Sequence, residues 1–281
     1  MIQRIAALAT CYNRRELTLE SLQSLLSQQV ARAVTLDVYL VDDGSSDGTA
    51  EAVGLRFPSV RVLSGDGTLY WNGGMRKAFR AAMDGDYDAY IWFNDDSRLL
   101  PGALQKIIEC AEEVIVNRPG VIVAGSMRRP GSVELTYGGL IKRAKGLRLD
   151  FYSVEPHPHH SLPCDTMNGN FTLISRSVAQ TVGNLDARFK HQLGDFDYGL
   201  RAKKLGFDIV AMPGFAGECE GNSSANTWRD PRLPLRARWR QLMSPKGAPP
   251  KEWVLYTARH FGWRFPLYAI SPYVKTLLGL R

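Results

Sequence analysis

Three short polar segments of this chain have the residue types that bind a divalent cation together with a phosphate-bearing ligand. They are TCYNR at residues 10–14, DDGSSDG at 42–48 and NDDS at 94–97. Carboxylate and amide oxygens are ligands that Mg²⁺ prefers, and Mg²⁺ in turn binds substrate phosphates. The sequence has neither GxxxxGK nor GxGxxG, so no motif supports a P-loop or a dinucleotide-binding turn.

The elements that must position these segments are predicted to be short strands alternating with helices. Apolar runs predict strands near residues 4–8, 36–41, 60–63, 90–93 and 121–124, and helical spacing predicts helices near 19–26, 72–83 and 101–117. Such alternation indicates βαβ units in a mostly parallel sheet, whose ligands bind at the carboxyl ends of the strands. Any one polar segment is explained by a turn. Three of them at strand ends indicate a binding crevice.

The second half of the sequence is less regular. Hairpin-like stretches are predicted near 133–141 and a polar loop at 155–163, followed by a strand at 167–175 that returns to the sheet. Two short helices are predicted at 176–182 and 196–205, each followed by a glycine that suits a helix C-terminus.

The order of these motifs resembles that of family 2 glycosyltransferases with the GT-A fold. The matching residues are TCYNR at 10–14, LVDDGSSDGT at 40–49, NDDS at 94–97 and GDFDYGLRA at 194–202. The resemblance covers roughly residues 4–215. It implies an α/β fold, a mostly parallel mixed sheet flanked by helices, that binds a nucleotide-diphospho-sugar.

The resemblance also implies roles for individual residues. Those expected at the nucleotide-sugar site are Thr10, Tyr12, Asn13, Arg14, Asp43, Trp71, Gly73 and Asp95. Tyr12 is expected against the nucleobase and Asp43 is expected to read it, with a carboxylate that is exposed until the base arrives. Asp95 would hold the sugar hydroxyls and Asp96 would bind Mg²⁺ or Mn²⁺. A third protein ligand is in doubt, because ECEGNS at 218–223 stands where many relatives have a histidine.

The glycine-rich segment at 65–76 resembles a subgroup in which such a turn opens a helix near the diphosphate. Backbone N–H groups at that helix start are suited to bind phosphate. The sequence leaves two interpretations of Trp71 open: its side chain walls the sugar pocket, or it packs in the core.

The acceptor hydroxyl needs a base on the opposite face of the sugar. By resemblance this base is Asp195, although a residue that opens a predicted helix also suits an N-cap. Asp197 is expected to organise the site or to balance the helix dipole.

Charge separates a body at 1–227 from a basic, aromatic-rich extension at 228–281. The extension holds eleven Lys or Arg and two Asp or Glu, a net +9, whereas the body carries −2. A basic segment with aromatics suits an anionic membrane face, and the alternative is a solvated face packed on the enzyme. No nucleic-acid motif accompanies it. The sequence has no apolar stretch long enough for a spanning helix, and its four cysteines form no CxxC pair, so we expect a cytoplasmic protein. The basic extension would allow it to bind peripherally to the inner face of the plasma membrane.

The resemblance implies an inverting, metal-dependent glycosyltransferase, and the subgroup that it resembles is that of bacterial rhamnosyl- and galactosyltransferases. Such an enzyme would move a hexose or deoxyhexose from a UDP- or dTDP-sugar to a hydroxyl of a saccharide, free or lipid-linked, in bacterial surface polysaccharide synthesis. One alternative is a sugar nucleotidyltransferase, although residues 12–15 are too sparse in basic groups to grip a triphosphate. The other is a non-catalytic nucleotide-sugar-binding or membrane- or partner-binding module.

Overall fold

The computed structural model describes residues 1–223 and 225–279. Its strands are β1 (Arg4–Cys11), β2 (Thr35–Asp42), β3 (Arg61–Ser64), β4 (Ala89–Phe93), β5 (Arg98–Leu99), β6 (Val121–Arg128), β7 (Leu135–Tyr137), β8 (Gly139–Lys145), β9 (Arg148–Ser153), β10 (Leu162–Cys164), β11 (Thr166–Met167), β12 (Phe171–Ser175) and β13 (Asp208–Glu218). Its helices are α1 (Arg15–Leu26), α2 (Thr49–Arg56), α3 (Tyr70–Met83), α4 (Ala103–Ile115), α5 (Arg176–Val182), α6 (Gly194–Lys204), α7 (Leu235–Met243), α8 (Pro250–His260) and α9 (Phe265–Leu277). A 3₁₀ turn at Gly262–Arg264 joins the last two helices.

The main sheet is mixed and mostly parallel, as the sequence predicts. Its strands lie in the order β10-β13-β6-β12-β4-β1-β2-β3, with β5 and β7 paired at the side. The strands β3, β2, β1 and β4 run parallel, and β12 runs antiparallel between β4 and β6. Strand β13 is again parallel to β6. A separate small sheet has the order β11-β8-β9.

Helices cover both faces of the main sheet, because its strands are apolar on both sides. Along β1, Ile5 and Ala7 point into the core beneath α1 and α4, while Ala6 and Leu8 point into the core beneath α3 and α6. This alternation follows the two-residue period of a strand. A strand buried on both faces reads as a continuous apolar run, which explains the sequence of β1.

The prediction of a single strand over residues 167–175 is wrong. It is divided into β11, which belongs to the small sheet, and β12, which belongs to the main sheet. Between them the chain turns, and the N–H of Asn168 donates to the carbonyl of Gly138 while the N–H of Asn94 donates to the carbonyl of Asn170. The interruption brings residues 168–170 next to the NDDS segment.

The C-terminal extension folds back onto the body as three helices. Tyr256 and Phe261 pack in one apolar cluster with Phe189 and Leu200 of the body. Tyr256 and Phe261 are therefore buried against the body, whereas Trp263 stays exposed. Arg281 lies outside the described residues, and the division of the chain at 227/228 stays a prediction.

No helix within residues 1–223 and 225–279 has the length and apolar character that a membrane crossing requires.

Candidate active site

The three polar segments lie side by side, because β4, β1 and β2 are neighbours in the sheet. The N–H of Asn13 donates to Oγ of Ser45 at 2.9 Å, and Oδ1 of Asn13 accepts from the N–H of Ser46 at 2.8 Å. Asn13 has a φ of 50°, in the left-handed region that Asn tolerates better than most residues. The first two segments are thereby fastened together, while the ring of Tyr12 stays half exposed beside them.

Asp43 is buried, so the expectation that its carboxylate is exposed is wrong. Its Oδ1 accepts the N–H of Gly67 and its Oδ2 accepts the N–H of Tyr70, both at 2.9 Å. Gly65 must be glycine, since a Cβ there would lie 2.5 Å from Oδ1 of Asp43. Asp43 therefore holds the glycine-rich turn in place through two backbone bonds, which a sequence motif alone does not reveal.

The start of α3 does not offer free N–H groups to a phosphate in this conformation, contrary to prediction. The first four N–H groups of the helix all donate to protein acceptors. The N–H of Tyr70 donates to Oδ2 of Asp43, and the N–H of Trp71 donates to Nδ1 of His191 at 3.4 Å. The N–H groups of Asn72 and Gly73 donate to the carbonyls of Lys190 and Leu69, at 3.2 and 3.1 Å. The glycines there instead allow close packing. A Cβ on Gly74 would lie 2.1 Å from Oγ1 of Thr10, which is buried at the end of β1.

Asp95 and Asp96 converge on one guanidinium group. Arg14 Nη1 lies 3.2 Å from Oδ1 of Asp95 and 3.0 Å from Oδ2 of Asp96. Burial, opposed by the charge of Arg14 and reinforced by the charge of Asp96, raises the pKa of Asp95 to about 7. A metal cation bound beside these two carboxylates would stabilise the ionised form of each. The pair is therefore suited to bind a cation.

Cys219 lies beside this carboxylate pair and was not assigned a role by sequence reasoning. Its Sγ is 3.5 Å from Oδ1 of Asp96 and 3.5 Å from Nδ2 of Asn170. Burial and the neighbouring Asp96 raise the pKa of the Cys219 thiol to about 12. A protonated thiol donates to Asp96 and is not a hard-cation ligand. Within the described part of the chain, no three His, Cys, Asp or Glu side chains form a group able to hold a metal ion.

Trp71 joins the NDDS segment to the loop that carries Gly169. Its Nε1 donates to Oδ1 of Asn94 at 2.8 Å, and its ring packs edge-on against Trp92 at 6.1 Å. A Cβ on Gly169 would lie 2.6 Å from the Trp71 ring. Trp71 is partly buried, so it packs on the core and also borders the crevice.

Asp195 is the second residue of α6 and not its N-cap, which is Leu193. The N-cap interpretation is therefore wrong. Its Oδ2 accepts the N–H of Gly169 at 3.1 Å, and its Oδ1 accepts the N–H of Phe196 at 2.8 Å. Burial raises the pKa of Asp195 to about 6, against these two hydrogen bonds, which lower it. Among the described residues, no Lys, Arg or His forms a salt bridge with Asp195.

Asp197 has the opposite environment. It is fully buried and accepts bonds from Arg201 Nε at 2.8 Å, Arg259 Nη1 at 2.5 Å and His260 Nε2 at 2.8 Å. Burial acts to raise its pKa, but the hydrogen bond from His260 and the two guanidinium groups hold it below the ordinary value. Arg259 also lies 2.9 Å from Asp186. The predicted organising role fits this geometry, and the partners on α8 were missed because nothing in the sequence links positions sixty residues apart.

Comparison with known proteins shows which family the chain belongs to. Residues 7–162 match the sequence profile described as "Glycosyl transferase family 2". The chain belongs to this family. It is therefore a glycosyltransferase, and the mixed α/β sheet is that of the GT-A fold. The resemblance inferred from the motif order is confirmed.

Relatives and solved structures agree with this membership. The chain is 26% identical over 265 residues to "N-acetylglucosaminyl-diphospho-decaprenol L-rhamnosyltransferase" of Mycobacterium tuberculosis, covering 86% of this chain and 82% of that protein. A mannosyltransferase from Pyrobaculum calidifontis in complex with GDP-Man and Mn²⁺ superimposes with a TM-score of 0.57 at 15% identity, over 99% of this chain and 75% of that one. GalNAc-T7 with UDP, GalNAc and Mn²⁺ gives 0.58 at 11% identity, over 77% and 42%. The two structures show the fold.

Proposed function

We propose that this glycosyltransferase moves a hexose or deoxyhexose from a UDP- or dTDP-sugar to a saccharide hydroxyl with inversion, and that Asp195 is the base. The observation that carries the proposal is the environment of Asp195. A general base works best when its pKa is close to the working pH. Burial raises the pKa of Asp195 to about 6. Its two backbone bonds fix its position without neutralising it.

The donor is proposed to bind across the segments that follow β1, β2 and β4. Tyr12 is half exposed and available to stack on a base, and Asp43 sets the turn beside it. Asp95 lies deeper and would accept from sugar hydroxyls, while Trp71 borders the path from Asp95 to Asp195. Inversion requires Asp195 to lie on the face of the sugar opposite the leaving diphosphate.

The residues present fit a divalent cation that is bound together with the donor. Asp96 would hold Mg²⁺ or Mn²⁺ beside Asp95, and the diphosphate and water would complete the shell of the ion, as is usual for Mg²⁺ in phosphate-binding sites. When bound, the ion would stabilise the charge of the leaving nucleoside diphosphate. Arg14 already contacts both carboxylates, so its guanidinium must move or share the site. Both similar structures were solved with Mn²⁺.

The acceptor is proposed to be a saccharide on a lipid carrier. The mycobacterial relative is named for rhamnosyl transfer to a sugar on a diphospho-decaprenol. That name favours a deoxyhexose donor and a role in bacterial surface polysaccharide synthesis for this chain too. A cytoplasmic site on the inner face of the plasma membrane stays a prediction that follows from such an acceptor.

Two alternatives were open at the level of sequence. Membership of the glycosyltransferase family removes the support for a sugar nucleotidyltransferase. A non-catalytic module would bind nucleotide sugar without turnover, and the transfer assay below separates it from an enzyme.

Calorimetry with UDP and dTDP, with Mn²⁺ and with chelator, tests the donor site. We expect affinity to require the metal and to fall in Asp96→Ala, with Glu220→Ala as a control for loss of a nearby exposed carboxylate. Transfer of radiolabelled rhamnose, galactose or glucose to an undecaprenyl- or shorter-chain lipid-linked sugar then tests turnover. Equal nucleotide affinity with metal and with chelator would refute the metal assignment, and binding without any transfer would favour the module.

A further inference from the structure

Helix α9 and the turn before it present a row of exposed apolar side chains. Trp263, Leu267, Ile270, Val274 and Leu277 are 66%, 52%, 58%, 42% and 56% exposed. Their spacing of four, three, four and three residues puts them on one face of a helix. The other face of α9, which includes Ala269 and Thr276, is buried, and α9 packs against α7 and α8. We call the five exposed residues the α9 row.

The chain segment that carries the α9 row is basic and contains no acid. From Trp253 to the end of the sequence there is no Asp or Glu. Lys275 is exposed beside the row, and Arg236 and Arg240 are exposed on the neighbouring α7. Within the described residues, these three cations form no salt bridge, unlike Arg259, which the body neutralises.

We propose that the α9 row is a docking surface for an anionic lipid membrane. A helix with apolar residues on one face, a tryptophan at one end and cations beside it lies in the interface between headgroups and acyl chains. Unpaired basic residues near that interface add attraction to anionic lipid. The chain thus docks through helix α9, while its aromatic neighbours Tyr256 and Phe261 are buried and take no part.

A second copy of the chain fits this surface less well. A twofold interface brings the same surface of both copies together. Here it would bring the basic segments around the α9 row of both copies together, and the segment from Trp253 onward has no carboxylate to pair with Lys275 or the arginines of α7. Charge complementarity therefore favours lipid over self-association.

The packing of α9 links this surface to the catalytic helix. Helix α9 packs on α8, and α8 supplies Arg259 and His260 to Asp197 of α6. Docking would thus hold the helix that carries Asp195 close to the membrane. This consequence rests on the proposed function, in which the acceptor is lipid-linked, whereas lipid binding itself does not.

Vesicle flotation of the full chain tests the proposal. The vesicles are phosphatidylcholine alone, or phosphatidylcholine and phosphatidylglycerol in equal parts. We expect binding to the anionic vesicles, and a loss of about tenfold or more in Ile270→Glu/Val274→Glu, because both carboxylates would enter the interface. Arg240→Gln and Lys275→Gln should each reduce anionic binding about fivefold. Leu55→Glu, at an apolar site on α2 that is 80% exposed, is the control and should bind like the wild type.

The outcomes separate this proposal from the proposed function. Melting temperature and transfer to a water-soluble acceptor should be unchanged in Ile270→Glu/Val274→Glu, while use of a membrane-borne acceptor falls. Flotation needs no turnover, so an inactive protein that binds vesicles would leave the docking surface standing. Equal flotation of the double variant, or no flotation of the wild type at low salt, would overturn it. So would a wild-type dimer in light scattering that the double variant dissociates, since the row would then bind a second copy.

Discussion

Replacing Asp195 by Asn separates its role in transfer from its effect on stability. Burial raises the pKa of Asp195 from its ordinary 3.8 to about 6. The folded chain therefore binds this proton more tightly than the unfolded chain, and the associated stability is present at low pH and is lost as pH rises through about 6. Above that pH the ionised carboxylate lowers the free energy of unfolding by ~3 kcal/mol. The Asn variant is free of this penalty.

The Asn side chain does not reproduce both backbone bonds. One of its two terminal groups is a donor, so either Gly169 or Phe196 loses an acceptor, at about 1 kcal/mol. We expect the variant to be more stable than the wild type by about 2 kcal/mol near neutral pH. At about pH 3.5 the Asn variant should be slightly less stable than the wild type, because the wild-type carboxyl is then mostly protonated in both the folded and the unfolded chain.

Transfer should collapse in the same variant while donor affinity stays within about twofold. An amide cannot accept the acceptor's proton, and base catalysis contributes about 10²–10⁴-fold. In the wild type, the rate should rise with pH to a plateau above about 6, because only the ionised carboxylate is a base. The measurements are urea unfolding at both pH values, calorimetry with donor, and release of nucleoside diphosphate with acceptor present.

Asp165→Asn is the matched control, since its carboxylate also accepts a backbone N–H, that of Lys142 at 2.8 Å. It should leave transfer unchanged. An Asp195→Asn protein that retains more than a tenth of wild-type transfer would refute the assignment of the base. A stability difference that does not change sign with pH would refute the account of the buried carboxylate.

Two further predictions concern carboxylates with structural duties. Asp43→Ala should lose about 2–4 kcal/mol of stability, because two backbone N–H groups lose their acceptor. It should also weaken UDP binding. An unchanged melting temperature would mean that the turn does not depend on Asp43. Asp197→Asn should lose about 3–5 kcal/mol of stability, since it removes the buried anion that pairs with Arg201 and one of the two anions that pair with Arg259. Arg188→Gln, at an exposed partner of Asp186, should change urea stability by no more than about 0.5 kcal/mol.

The strands and the crevice were predictable because their signals are local. Each strand of the parallel half is an apolar run, and each polar segment follows one, so sheet topology alone brings Asn13, Asp43 and Asp95 to one edge. Helix α5 was predicted with its bounds at Arg176–Val182, where Gly183 ends it in a left-handed conformation. These features depend on residues close together in sequence.

The contacts that were not predicted join distant parts of the chain. The burial of Asp43 depends on a turn more than twenty residues later, and the thiol of Cys219 reaches Asp96 across the end of the sheet. The extension appeared in sequence as either a membrane element or a packed basic face. In the structure Arg259 is partly buried and paired with carboxylates of the body, whereas Arg236, Arg240 and Lys275 are exposed on α7 and α9. Such pairings follow from the fold and not from spacing.

The same physical reasoning distinguishes the two acids of α6 without reference to any relative. Acid and base assignments follow from pairs of titratable groups whose environments move their pKa values apart. Burial acts on both Asp195 and Asp197, but the hydrogen bond of His260 and the nearby guanidinium groups reverse its effect at Asp197. Asp197 is fully buried and paired with two guanidinium groups and an imidazole, so a substrate hydroxyl does not reach it and its carboxylate is a weak base. Under the proposed function Asp195 is therefore the base, and Asp197 fixes α6, which carries both residues, through its bonds to Arg259 and His260 of α8.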